Sequence, residues 1–88
     1  MSKYKPLYRW LQEKAAKDVA ASFTELEAVL GFDLPPTATK DSAWWANETG
    51  ESRHVQCRAW LDAGFETRDV NLIKKSIRFV REGAPGRA

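Results

Sequence analysis

Few side chains in this chain could do covalent chemistry. There is one histidine, His54, and one cysteine, Cys57. With scattered carboxylates, they form neither a nucleophile–base–orienter set nor a set of metal ligands. Cys57 falls on the predicted core face of its helix and reads as a small buried apolar residue. A single cysteine also excludes an internal disulfide and any multi-cysteine zinc site. Glu25 and Glu27 lie two residues apart and point to different sides of their helix, so they are not a paired acid and base. The expectation is a non-enzymatic chain without metal or cofactor.

The residue types that do cluster are suited to recognition. Arg53, His54, Gln56 and Arg58 gather at or beside the start of a predicted helix, with Asn47 shortly before it. Gln and Asn can pair bidentately with adenine, and Arg with guanine, in the DNA major groove. Val55 and Ala59 could meet thymine methyls. Further on, Arg68, Lys74, Lys75 and Arg78, with Arg81, fall within one predicted hairpin. There they would contact phosphates, fixing register and making affinity salt-dependent. Each assignment has a plainer alternative. Asn47 could cap the turn into residues 48–51, His54 could be a satisfied structural histidine, and the hairpin lysines could guard a strand edge against pairing.

Lys and Arg outnumber Asp and Glu by only 14 to 12, too small a margin to indicate a partner. The distribution is more informative. Residues 1–21 carry five basic side chains against two acidic, residues 22–51 one against six, and residues 52–88 eight against four. A polyanion should dock on the last third, and the acidic middle should face away from it.

These side chains need elements to position them. Leu7, Trp10, Leu11 and Ala15 recur at helical spacing and predict a first helix over about residues 4–17, with Pro6 in its first turn. Asp18–Ala21 reads as a short extended segment. Ser22-Phe23-Thr24-Glu25 is a capping box, and Gly31 supplies the positive φ that ends the helix it opens. Pro36 could begin a short helix through Lys40, and residues 35–51 form an elaborated connection. The next helix is expected from Ser52 to about Gly64. Cys57, Trp60, Leu61 and Gly64 would face the core. Ser52, Val55, Gln56, Ala59 and Ala63 would form an outer face of small residues that admits close approach of another surface. One ring of Trp44-Trp45 should be core, leaving the other to pack nearby or meet a partner. Residues 66–71 and 76–81 read as two strands around Leu72–Lys75, with Val70, Leu72, Ile77 and Phe79 inward. Residues 83–88 should be a flexible tail.

Helix, extended segment, capped helix, elaborated turn, helix, hairpin is the order of a winged helix-turn-helix. The expected class is therefore α+β, with three main helices followed by a C-terminal β-hairpin, in one domain over residues 1–82. The 11% aromatic and 43% apolar content suits a small folded core. No signal-peptide pattern or long apolar run is visible, and the expected setting is the cytoplasm.

One larger pattern combines Ser22-Phe23-Thr24-Glu25-Leu26-Glu27, Leu30-Gly31, Leu34-Pro35, Trp44-Trp45-Ala46-Asn47, His54-Val55-Gln56 and Ala59-Trp60-Leu61-Asp62-Ala63-Gly64-Phe65. It resembles a family of small bacterial domains of uncharacterised function, and the likeness extends through the hairpin to Arg81. The resemblance implies a compact domain, found alone or attached to other modules, and brings no catalytic residues. From element order and charge, the expected function is binding double-stranded DNA, as a small transcriptional, plasmid or phage regulator acting as a homodimer. Two other readings remain open. One is a protein-interaction module, adaptor or antitoxin-like, using Trp44, Trp45, Trp60 and the small-residue face. The other is a specificity domain working beside a nuclease.

Overall fold

A computed structural model describes residues 3–47 and 55–81. Along them run α1 (Lys5–Gln12), β1 (Asp18–Ser22), α2 (Phe23–Leu30), α3 (Pro36–Lys40), a 3₁₀ turn (Ser42–Trp45), α4 (Val55–Asp62), β2 (Phe65–Asn71) and β3 (Ser76–Arg81). The class is α+β, with four α-helices and one three-stranded antiparallel sheet of order β1-β3-β2 among the described residues. The expected residues 48–51 turn, the Ser52 helix start and the 83–88 tail lie outside them. No helix among the described residues is long and apolar enough to cross a membrane.

Local signals fix α2. The Ser22 hydroxyl accepts from the Glu25 N–H at 3.0 Å, and Gly31 at φ 84° ends the helix in the left-handed conformation. Pro36 opens α3, where its missing N–H costs nothing. The α1 helix stops at Gln12, five residues before the expected end at Lys17. A tertiary interaction decides this: Arg81 Nη2 donates to the Lys14 carbonyl at 2.9 Å, and the Arg81 N–H donates to the Lys17 carbonyl at 2.8 Å. The segment after α1 is thereby drawn toward the end of β3, and the chain can enter β1 at Asp18.

The expected extended segment 18–21 forms β1 together with Ser22 and pairs with β3 of the hairpin, Val19 opposite Phe79 and Ala21 opposite Ile77. Those four side chains lie on the buried face of the sheet. In β2 the inward residues are first Phe65 and Thr67, not the expected pair alone. A one-residue bulge between Arg68 and Asn71, with Asp69 at φ 53°, then changes the alternation. Beyond it Val70 and Leu72 pack, partly buried, against the core.

The core is an aromatic column. Trp45 stacks between Phe23 (4.9 Å between ring centroids) and Trp60 (5.9 Å), and Trp60 continues to Phe79 at 6.0 Å. Trp45 is the core member of its dipeptide, while half-buried Trp44 meets it edge-on at 4.6 Å and also approaches Tyr4. Cys57 is buried, as its helical position predicts.

Candidate nucleic-acid interface

The outer face of α4 differs from the expectation. Gln56 and Ala59 are buried together with Cys57 and Trp60, and only Val55, Arg58 and Asp62 are exposed. The cause is α1, which packs against α4. The close approach that a small residue at 59 permits is made by a helix of the same chain. Gln56 is buried on the side of Trp44, and its Nε2 donates to the Trp44 carbonyl at 3.3 Å. A side chain in that position is not available to read a base. Trp45 and Trp60, expected as possible partner-facing rings, are likewise fully within the core.

Asn47 is similarly engaged. Its Oδ1 accepts from the Trp60 indole N–H at 3.1 Å and from the Thr67 N–H at 2.8 Å, and its Nδ2 donates to the Thr67 carbonyl at 3.0 Å. The Thr67 hydroxyl lies 3.0 Å from the same Oδ1 and also within bonding reach of the Trp45 carbonyl. Because β2 is an edge strand, the Thr67 N–H and C=O point away from β3. The Asn47 amide pairs both, as the peptide of a neighbouring strand would. It also gives the buried Trp60 N–H its acceptor. Asn47 thus serves the fold, tying the segment after the 3₁₀ turn to β2 and to the Trp60 indole; the turn into residues 48–51 that it could cap lies outside the described residues.

Arg53 and His54 lie outside the described residues. Arg58 is exposed beside a groove of about 510 Å³ between α1 and α4, whose walls include Tyr4, Lys5, Tyr8, Val55 and Asp62. Burial pushes the Tyr4 phenol above its ordinary pKa, so it stays protonated at neutral pH.

The hairpin cations fall into two groups. Arg68 and Arg78 sit opposite one another on the exposed face of the sheet. Arg68 pairs with Glu66, and Arg78 is flanked by Asp18 from β1 and Asp69 from the bulge, the latter at 2.7 Å. Acids contributed by β1 and by the bulge offset that charge. Arg81 lies over the Phe65 ring at 4.5 Å and holds the Lys14 carbonyl, a structural post. Lys74 and Lys75, at the turn, are exposed and make no ion pair among the described residues. Asn71 Oδ1 closes this turn by accepting from the Ile73 and Lys74 N–H groups at 3.1 and 2.9 Å. The Lys75 carbonyl, in turn, accepts from the Phe23 N–H at 2.8 Å, tying the turn to the start of α2.

Residues 4–83 match the family described as Domain of unknown function (DUF7662). The chain belongs to this family. That agrees with the resemblance to an uncharacterised domain family, while the description assigns the family no activity. A search of curated proteins and a search of solved structures each return no match.

Sequence reasoning passed over Ile73, which is 95% exposed, and the α1 side of the groove. Ile73 had a visible signal: a β-branched residue stands in a turn, where Gly, Asn, Asp and Ser are usual. The groove had none, because Lys5 and Arg58 are brought together only by the packing of α1 on α4.

Proposed function

We propose that this domain binds double-stranded DNA in the manner of a winged helix, as a small cytoplasmic transcriptional, plasmid or phage regulator. The observation that carries the reading is the distribution of charge on the hairpin. Acids offset Arg68 and Arg78 of the strands, and among the described residues the two turn lysines make no ion pair. A hairpin that balances its own face and leaves cations only at its end suits a contact with phosphates.

The topology supports the same reading. A strand, a capped helix, a further helix and a hairpin follow one another, and β1 pairs with the returning strand β3. In a winged helix α4 would be the reader and the β2–β3 hairpin the wing. The proposed contacts are Arg58 with Val55 on α4, Lys5 from α1 across the groove, and Lys74 and Lys75 on the wing. Arg53 and His54 remain proposed contacts from sequence. Asn47 and Gln56 are left out because their amides serve internal hydrogen bonds. Arg68 and Arg78 become secondary, since each must share its charge with an acid. A reader this short covers one half-site, so two copies are proposed to bind together.

The test is a titration against mixed-sequence duplex DNA at low and moderate salt. Binding with a steep salt slope is expected. Each phosphate contact contributes about −0.9 to that slope, so Lys74→Ala/Lys75→Ala should flatten it by roughly two units on every sequence. Arg58→Ala should instead change sequence preference. Absence of binding at low salt overturns the reading.

A second reading has its own observation. The α1–α4 groove combines tyrosines, a half-exposed Val55 and Arg58, a mixture typical of protein interfaces. An interaction module would leave DNA unbound and lose its partner on Val55→Asp.

A further inference from the structure

Ile73 is 95% exposed, the most exposed large apolar residue described in the chain. The core does not need it there, since its neighbour Leu72 packs inward instead. Nor is it at the end of a loose loop. Asn71 fixes the Ile73 and Lys74 N–H groups, Lys75 holds a left-handed conformation at φ 55°, and the Phe23 N–H clamps the Lys75 carbonyl. The turn therefore holds one branched apolar side chain outward, with two exposed lysines immediately after it that make no ion pair among the described residues. Isoleucine has a restricted χ1, so little side-chain freedom is lost when it is inserted into a partner.

We propose that Ile73 is a minor-groove wedge. The tip enters the DNA minor groove, Ile73 inserts between two stacked base pairs, and Lys74 and Lys75 bind the flanking phosphates. Proteins that kink DNA from the minor groove use this chemistry, an apolar wedge accompanied by cations. The easiest step to open is a flexible pyrimidine–purine one, so TA and CA steps are the preferred target. The proposal rests on the DNA-binding reading and adds to it a bent product and a source of sequence preference that makes no base hydrogen bond.

The experiment uses the full chain and duplexes of roughly 25 base pairs carrying a donor and an acceptor dye at their ends. Each has a central TA step or a GC-only centre and is titrated at low salt. The expected result is a rise in energy transfer on binding, larger for the TA duplex. Ile73→Ala should abolish the rise, weaken binding on the order of tenfold and leave the salt slope unchanged. Lys74→Ala/Lys75→Ala should flatten the slope. Because Ile73 is exposed, the alanine variant should melt with the parent, which separates loss of the wedge from loss of fold. Binding without bending, or equal bending by Ile73→Ala, overturns the wedge and leaves the DNA-binding reading standing. No binding to either duplex overturns both. Vesicles of anionic phospholipid are the remaining arm: Ile73-dependent vesicle binding without DNA bending assigns the tip to a membrane surface and overturns the wedge.

Discussion

The edge of β2 and the turn that follows it treat polar groups in opposite ways. At Thr67 the backbone N–H and C=O are both paired by Asn47, which also accepts from the Trp60 indole. Past Asn71 the chain exposes an isoleucine and two lysines that make no ion pair among the described residues. The first region holds the most distinctive part of the sequence, Trp44-Trp45-Ala46-Asn47, and uses it to close the edge of a sheet. The second is an undistinguished turn whose Ile73, Lys74 and Lys75 side chains are exposed. In this small domain an unusual motif marks a demanding piece of internal construction, and the exposed cations lie where the motif is absent.

The largest expected effect tests the first region. Trp45 stacks on Phe23 and Trp60, and its indole N–H donates to the Ala38 carbonyl at 2.8 Å. Trp45→Ala should cost about 3–5 kcal/mol, a cavity plus a buried carbonyl left without its donor. A domain of this size has on the order of 5–10 kcal/mol in total, so urea denaturation should find the variant barely folded. A midpoint close to that of the parent would show that the column is not the centre of the core.

Asn47→Ala comes next. It removes the acceptor of the Trp60 N–H and both partners of the Thr67 peptide groups. Water can replace part of this, because Asn47 is itself exposed, and the net loss should be about 2–3 kcal/mol by the same measurement. A loss under roughly 0.5 kcal/mol, joined to weakened DNA binding, would return Asn47 to the interface and break the comparison.

The sequence revealed the elements whose causes are local. Ser22 with Glu25, Gly31, Pro36 and the strand pair around residues 72–75 act over four or five residues, and each produced the element it predicts. The fate of Asn47 depends on Thr67, twenty residues away, and that of Gln56 on Trp44 and the packing of α1. Neither contact has a local signature, so Gln56 reads as a free recognition group and Asn47 as either a turn cap or a recognition group. The bulge at Asp69 was hidden for a related reason: strict alternation assigned Val70 inward but could not show that one extra residue brings it there. Charge was legible as a total for the last third, but its cancellation in the strands required knowing that Asp18 lies beside Arg78 across the sheet.

That cancellation gives a smaller test. Asp18→Asn with Asp69→Asn should release Arg78. The exposed pairs contribute at most about 1 kcal/mol to stability, and asparagine suits the left-handed conformation at residue 69, so the melting curve should move little. Binding to duplex DNA should tighten, and the salt slope should steepen by about one unit if Arg78 then meets a phosphate. An unchanged slope would confine the phosphate contact to the tip.

The smallest expected effect lies at Lys75. Its φ of 55° costs an L-residue about 1–2 kcal/mol relative to glycine. Glycine in turn has more conformational freedom in the unfolded chain, worth about 0.5–1 kcal/mol. Lys75→Gly should therefore stabilise the domain by a few tenths to about 1 kcal/mol, read from the urea midpoint, while removing one cation and flattening the DNA salt slope by roughly one unit. Opposite movements of stability and binding would mean that the turn holds a strained residue for its charge, which separates it from the Asn47 clasp, where every substitution should lose stability. If Lys75→Gly destabilises instead, the lysine side chain is supporting the turn, and the contrast between the β2 edge and the turn fails at this residue.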